Sequence, residues 1–270
     1  STVSSTEFYL EQFKAELSRR LFSPKRRVDD KFLMVSDHCF AIKGKGAVLT
    51  GTVLQGACTV GQTVQIGSSS LTRKIKSIQC FRKDVKSCKA GDRAALLFTD
   101  VDSGQFERSL ISEPGLICQT KRLLVAFNQI SHFRGTVKNG QKLHITVLND
   151  TKMATVSFFR RFDDGEFLEE PVCLTKDSTH ALLIFDQEID HVYSALILAS
   201  KLDLNADCKA CRFVFYATEA LLDTSSFRSF RWKERWAQVE RFHSAGELIG
   251  KGLTEAPEAL SHHFGRPIEI

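Results

Sequence analysis

The chain opens with an apolar stripe at helical spacing. Phe8, Phe13, Leu17 and Leu21 repeat along one side, while Glu11, Lys14, Glu16, Arg19 and Arg20 fall largely on other faces, which predicts a helix over residues 4–21. Ser4 and Glu7 supply an S-x-x-E capping box at its start. Pro24 ends it, and Lys25-Arg26-Arg27 begins a charged connector. A single amphipathic helix cannot bury its own stripe and needs a partner surface.

From Phe32 the period changes. Runs of Val, Ile, Leu, Phe and Thr predict strands over 32–42, 47–54, 63–66, 73–79 and 93–98, with turns at Gly44-Lys45-Gly46, Gln55-Gly56, Gly61 and Gly91-Asp92. Pro114-Gly115 marks a break. A second set follows over 122–128, 142–148, 153–159, 180–185, 195–199 and 212–216, with loops at 163–165 and 175–178. Around 224–229 the chain leaves this set, and residues 230–270 are too few to close a third core. The fold class is therefore all-β. Two consecutive antiparallel β-barrels follow an N-terminal helix and precede an incomplete C-terminal β segment. The expected boundaries are 1–30, 31–116, 117–224 and 225–270.

Composition adds little to this picture. Hydrophobic residues at 43% and charged residues at 26% suit a globular chain rather than a disordered one. The net charge of +5 permits an RNA partner without demanding one. Eight Cys at irregular spacing argue for reduced thiols in a cytosolic protein, not a small disulfide scaffold. The chain has no apolar leader segment and no long apolar run, so neither a signal peptide nor a membrane span is expected.

The first barrel carries an ordered string: DHCFAIKGKGAVLTGTVLQGACTVGQTVQIG, then KIKSIQCFRKDVKSCKAGDRAALLF, then ERSLISEPG. It resembles the second domain of translational GTPases such as elongation factor Tu. The second barrel carries SHFRG at 131–135, KLHITV at 142–147, ALLIFDQEI from 181 and ASKLD at 199–203. These pieces resemble the third domain of the selenocysteine-specific members of that family. The resemblance covers roughly residues 1–250, and the tail is similar to the opening of the family's fourth domain. It implies two barrels of translational-GTPase type that bind selenocysteinyl-tRNA and deliver it to the ribosome at UGA codons.

No G-x-x-x-x-G-K-(S/T) occurs; Gly44-Lys45-Gly46 has the wrong spacing and lies in a turn. The sequence reads as a piece of a longer GTPase, with the helix at 4–21 similar to the last helix of the nucleotide-binding domain. GTP and Mg are expected in the full-length protein only, and no catalytic residue or cofactor in this chain. The resemblance further implies a cytoplasmic monomer. Its fourth domain would meet a selenocysteine-insertion RNA element or that element's binding protein.

Where elongation factor Tu lines its aminoacyl pocket with two adjacent acids and an amide, this chain has Asp37, His38 and Arg93. The resemblance implies a pocket that turns from doubly acidic to neutral or positive and suits an ionised selenol. Neutral serine would leave Arg93 unpaired in a closed site. Adjacent strand residues point to opposite faces, so Asp37 and His38 share a pocket only if a bulge re-aims one of them. Gln79 and Arg82 match positions that meet the acceptor end. His132, Phe133 and Arg134 match the barrel that holds the acceptor stem, where a cation beside an exposed aromatic suits backbone contact.

Arg231, Lys233 and Arg235 interleave with two Trp, which suits RNA contact or a connector packed on a neighbouring domain. Cys208-x-x-Cys211 is a single pair without nearby His, so ordinary thiols are favoured over zinc. Three alternatives stand beside the main reading, one of them a protein-interaction module that has lost tRNA binding. Another is the barrel region of a different translational GTPase, such as an initiation factor gamma subunit. The last is a zinc or redox protein using Cys208 and Cys211.

Overall fold

The computed structural model describes residues 5–68, 71–104, 106–163, 165–203, 210–221, 227–231, 236–244 and 247–252. Helix α1 (Ser5–Arg20) forms where the apolar stripe predicts it. Glu16 on its surface accepts from Arg19 and Arg20 at 2.8 and 2.5 Å. Phe8, Phe13 and Leu17 remain exposed, so the stripe is not covered by any described residue. Ser4, the expected cap, lies outside the described residues.

The first barrel is built from β1 (Leu33–Ile42), β2 (Gly46–Gln55), β3 (Ala57–Thr59), β4 (Thr63–Ile66), β5 (Thr72–Lys74), β6 (Ser77–Cys80), β7 (Lys83–Val85), β8 (Ser87–Lys89), β9 (Arg93–Phe98) and β10 (Leu110–Ser112). Eight of these form one curled sheet in the order β5-β4-β10-β1-β2-β9-β6-β7, and β3 pairs with β8 separately. The strand expected over 73–79 is divided. Its first half pairs with β4 and its second with β9, on opposite sides of the sheet order. Buried Ile75 is the crossing point. Its N–H donates to Gln62 O at 2.9 Å, and the next N–H, of Lys76, donates to Leu97 O at 2.8 Å. Those two bonds draw the sheet's two sides together. Met34, Leu49, Val53, Ile66, Ile78, Leu96 and Phe98 fill the interior.

The second barrel comprises β11 (Cys118–Ala126), β12 (Asn128–Gln129), β13 (Gln141–Val147), β14 (Asp150–Arg161), β15 (Phe167–Glu169), β16 (His180–His191), β17 (Ile197–Ser200), β18 (Phe213–Ala217) and β19 (Ala220–Leu221). Its main path runs β12-β18-β17-β13-β14-β16-β11-β19. Phe127, Phe158 and Phe215 meet at its centre, with ring centroids 4.6 to 6.1 Å apart. Beyond this path, β20 (Ser229–Phe230) joins β15 in parallel, and Phe227 lies on Phe159 and Phe167 at 5.1 and 5.0 Å. β21 (Gln238–Ser244) and β22 (Glu247–Lys251) form an exposed hairpin.

The barrels share a core along one strand. Phe32 and Met34 point into the first barrel, whereas Leu33 and Val35, one residue out of phase, join Leu110 in packing against the second. β1 is therefore buried on both faces over its first half and on one face over its second.

His180 and His191 are buried, and burial pushes both imidazoles below their ordinary value of 6.5; nearby Arg161 adds to the effect at His180. The unfolded chain takes up these protons as pH falls through about 6.5, while the folded chain refuses them until lower pH. Stability should thus be flat above about pH 7 and decline from about 6.5 downward. The urea midpoint followed from about pH 7.5 to 5.5 checks this, and His191→Asn should make the slope shallower.

Candidate functional site

The site begins with an irregularity in β1. Ser36 pairs with Gly51 of β2 and His38 with Thr50, leaving Asp37 with no partner of its own. This is a β-bulge, two residues facing one. Side-chain parity confirms it. Met34 points into the first barrel and so does Cys39, five positions on, which strict alternation forbids. The flip occurs at the bulge and leaves both Asp37 and His38 on the outer face. Here the condition set by the sequence, that a bulge re-aim one of them, is met.

Gly51 makes the bulge possible. A Cβ there would lie 1.9 Å from Val35 O and 2.8 Å from Ser36 Cα, so β1 comes closer to β2 than any side chain permits. Three groups then fix the bulge. Ser36 Oγ donates towards the carbonyls of His38 and Thr50 at 3.4 and 3.3 Å. Ser36 N donates to Ser109 O at 2.9 Å. From the second barrel, Asn149 Nδ2 donates to Ser36 O at 2.7 Å and to Arg108 O at 3.1 Å.

Arg93 starts β9 opposite Thr52, on the same outer face, since Ala94 and Leu96 point inward. Its Nη1 donates to the Asp37 carboxylate and, at 3.1 Å, to Thr52 Oγ1. His38 makes a different pairing: Nδ1 lies 3.2 Å from Glu107 Oε1. The site therefore consists of an Asp37–Arg93 pair beside a His38–Glu107 pair. It also differs from expectation in being open. The Asp37, Arg93 and His38 side chains are 38%, 54% and 71% exposed, so water softens their fields. A cavity of about 460 Å³ between the barrels is lined by Glu107, Arg108, Asn149, Lys152 and Asp190 among others, and includes none of the three.

The register extends this face. His38 pairs with Thr50, Thr50 with Ala95, and Ala95 with Gln79. Small Thr50 and Ala95 thus lie between His38 and Gln79, which stand three strand spacings, about 14 Å, apart. The Gln79 amide donates to Asp84 Oδ1 at 2.9 Å across the hairpin. Continuing the register brings the β6–β7 turn level with Arg93. That turn is Phe81-Arg82, both left-handed at φ 49° and 65°. Asn and Gly usually occupy such positions, and other residues there cost about 1 kcal/mol or more each. The cost falls where Phe81, 85% exposed, and Arg82 stand in solvent.

The other candidates lie apart from this face. Phe133 is half-buried against the second barrel's core, not exposed as a stacking platform, because its backbone turns at Ile130 and its ring folds over Gly135. His132 and Arg134 flank it in solvent. Arg231 is tied to Glu169 by bonds of 2.5 and 3.2 Å, which raise its pKa and anchor the segment after β20. Lys233, Arg235 and Cys208 lie outside the described residues. Among the described residues no cluster of His, Cys, Asp and Glu is placed to hold a metal. Thr52, Glu107, Ser36, Gly51 and Asn149 were not singled out from sequence. The E-R-S stretch containing Glu107 was visible only as a motif, without its pairing to His38.

No family model matches the chain. It is 27% identical to the mouse selenocysteine-specific elongation factor over 94% of its own length and 52% of that protein's. It is 30% identical to the selenocysteine-specific elongation factor of Methanocaldococcus jannaschii, covering 72% of the chain and 43% of that protein. The chain is a homologue of the selenocysteine-specific elongation factors. It spans about half the length of these curated relatives. Among solved structures, translation elongation factor SelB of Methanococcus maripaludis in complex with the GTP analogue GPPNHP superposes with a TM-score of 0.77 at 20% identity, over 94% of this chain and 57% of that one. This likeness extends the agreement to the fold of both barrels.

Two substitutions test how this homologue sets its site. Gly51→Ala should destabilise the first barrel by about 2–3 kcal/mol, because a backbone carbonyl must move. Asn149→Ala should cost about 1–2 kcal/mol through two lost hydrogen bonds. Urea unfolding measures both, and values within error of the parent would show that the bulge needs neither brace.

Proposed function

We propose that the chain is the tRNA-binding part of a selenocysteine-specific elongation factor, with the aminoacyl group received on the outer face of the first barrel at Asp37, His38 and Arg93. The observation that carries this reading is the bulge-set pair of Asp37 and Arg93 on one face, in a chain homologous to factors of that name. Both bonds made by Arg93 use Nη1. A guanidinium has five N–H donors, so Nη2 and Nε keep donors for an incoming anion while Asp37 and Thr52 fix the plane. A selenol is more acidic than a thiol and arrives ionised near neutral pH; a serine hydroxyl arrives neutral. Arg93 therefore favours selenocysteine by charge-assisted hydrogen bonds. Asp37 orients the guanidinium and offsets part of its charge, which disfavours anions that reach the face without the rest of the tRNA.

In this reading Gln79 and Arg82 take the acceptor end, and His132 and Arg134 meet the acceptor stem. GTP and Mg²⁺ are held, and GTP is hydrolysed, by a domain outside this chain. Delivery to the ribosome belongs to the whole protein. Recognition of a selenocysteine-insertion RNA element or its binding protein belongs to the part beginning near residue 225.

The test uses the full-length protein with GTP and compares selenocysteinyl-tRNA with seryl-tRNA on the same tRNA body. Arg93→Ala should reduce the preference for the selenocysteinyl form by about tenfold, a charge-assisted bond discounted for exposure. Equal affinity of the unmutated protein for both forms removes the specificity claim. An unchanged preference in Arg93→Ala removes the role of this residue.

A further inference from the structure

The first barrel holds a pair of thiols that tRNA binding leaves unused. β3 and β8 form a short antiparallel ladder in which Cys58 stands directly opposite Cys88. Both are buried in the core, at 1% and 2% exposure, and their Sγ atoms lie 3.3 Å apart. Directly opposed residues in an antiparallel pair have Cα atoms about 4.5–5.5 Å apart, inside the range of about 4.4–6.8 Å that a disulfide spans. The direct pairing puts the backbone within that range, and the sulfurs have to close from 3.3 Å to the bonding distance of about 2.05 Å. Cys80 packs on the same core but pairs with Lys83 across its own hairpin.

The geometry points to Cys58 and Cys88 as a dithiol that closes to an intrachain disulfide under a peroxide-class oxidant. The Cys88 thiolate attacks one peroxide oxygen; an S–O bond forms, the O–O bond breaks, and hydroxide leaves. Hydroxide takes up the proton that Cys88 released on ionising and becomes water. The Cys58 sulfur then attacks the Cys88 sulfenic sulfur. An S–S bond forms, the S–O bond breaks, and the departing hydroxyl leaves as water with the Cys58 proton. Two thiols are oxidised by two electrons and one peroxide is reduced to two waters. The thiol–thiol hydrogen bond lowers the pKa of Cys88, and the same bond together with burial raises that of Cys58.

The disulfide would close the loop that carries Gln79 and Arg82 and would fix the strand that leads through Gly91 into Arg93. Burial should make the reaction slower than oxidation of exposed Cys118.

The experiment treats the chain with hydrogen peroxide, blocks remaining thiols with N-ethylmaleimide under denaturing conditions, and maps peptides by mass spectrometry without reduction. The expected product is a peptide pair joined at Cys58 and Cys88, lighter by two hydrogens and separated by dithiothreitol. Because the crosslink restricts the unfolded chain, Tm should rise by about 10 °C. Cys80→Ser should keep both the link and the shift, and Cys58→Ser should lose both. Recovery of Cys58 and Cys88 as maleimide adducts while Cys118 is oxidised overturns the proposal, as does a link from Cys80 to Cys88. Both readouts on the unmutated chain stand even if Cys58→Ser fails to fold.

Discussion

One steric fact organises the first barrel: at Gly51 there is room for a backbone but not for a side chain. Because β1 can press against that glycine, it can take in one extra residue, and the extra residue is Asp37. Without the insertion, the parity that sends Met34 inward would also send His38 inward and put Cys39 in solvent. With it, the interior keeps Cys39 and the exterior gains two adjacent polar side chains. Arg93 reaches this face by ordinary alternation from the neighbouring strand. The charge pair on the surface is thus a product of backbone geometry in the interior.

The Asp37–Arg93 pair is exposed and, in this state, contributes little to stability. Its value lies in orientation. A guanidinium held by a carboxylate and a hydroxyl through one nitrogen presents its other edge in a fixed plane. Glu107 treats His38 similarly from the segment just before β10. The face therefore resembles a set of aimed donors on an open sheet surface more than a cavity.

Much of the architecture was legible in the sequence because strand alternation and glycine turns are local signals. The strands at Thr63–Ile66 and Arg93–Phe98 were delimited residue for residue. Features with a distant cause leave no local signal. Residues 73–79 are one run by composition but two strands in space, because each half answers to a different partner. The bulge at Asp37 depends on a glycine fourteen positions on, so local period could pose the question of facing but not answer it. The pairings of His38 with Glu107 and Cys58 with Cys88 join segments far apart in the chain. Phe133 is half-buried rather than exposed because its ring folds back over Gly135, which a polar, glycine-containing stretch does not signal.

The carbonyl of Ser36, immediately before the extra residue, is held by an amide from the opposite barrel. The second barrel is accordingly part of the first one's surface chemistry. The angle between the barrels and the aim of the charge pair are thereby joined through a single amide.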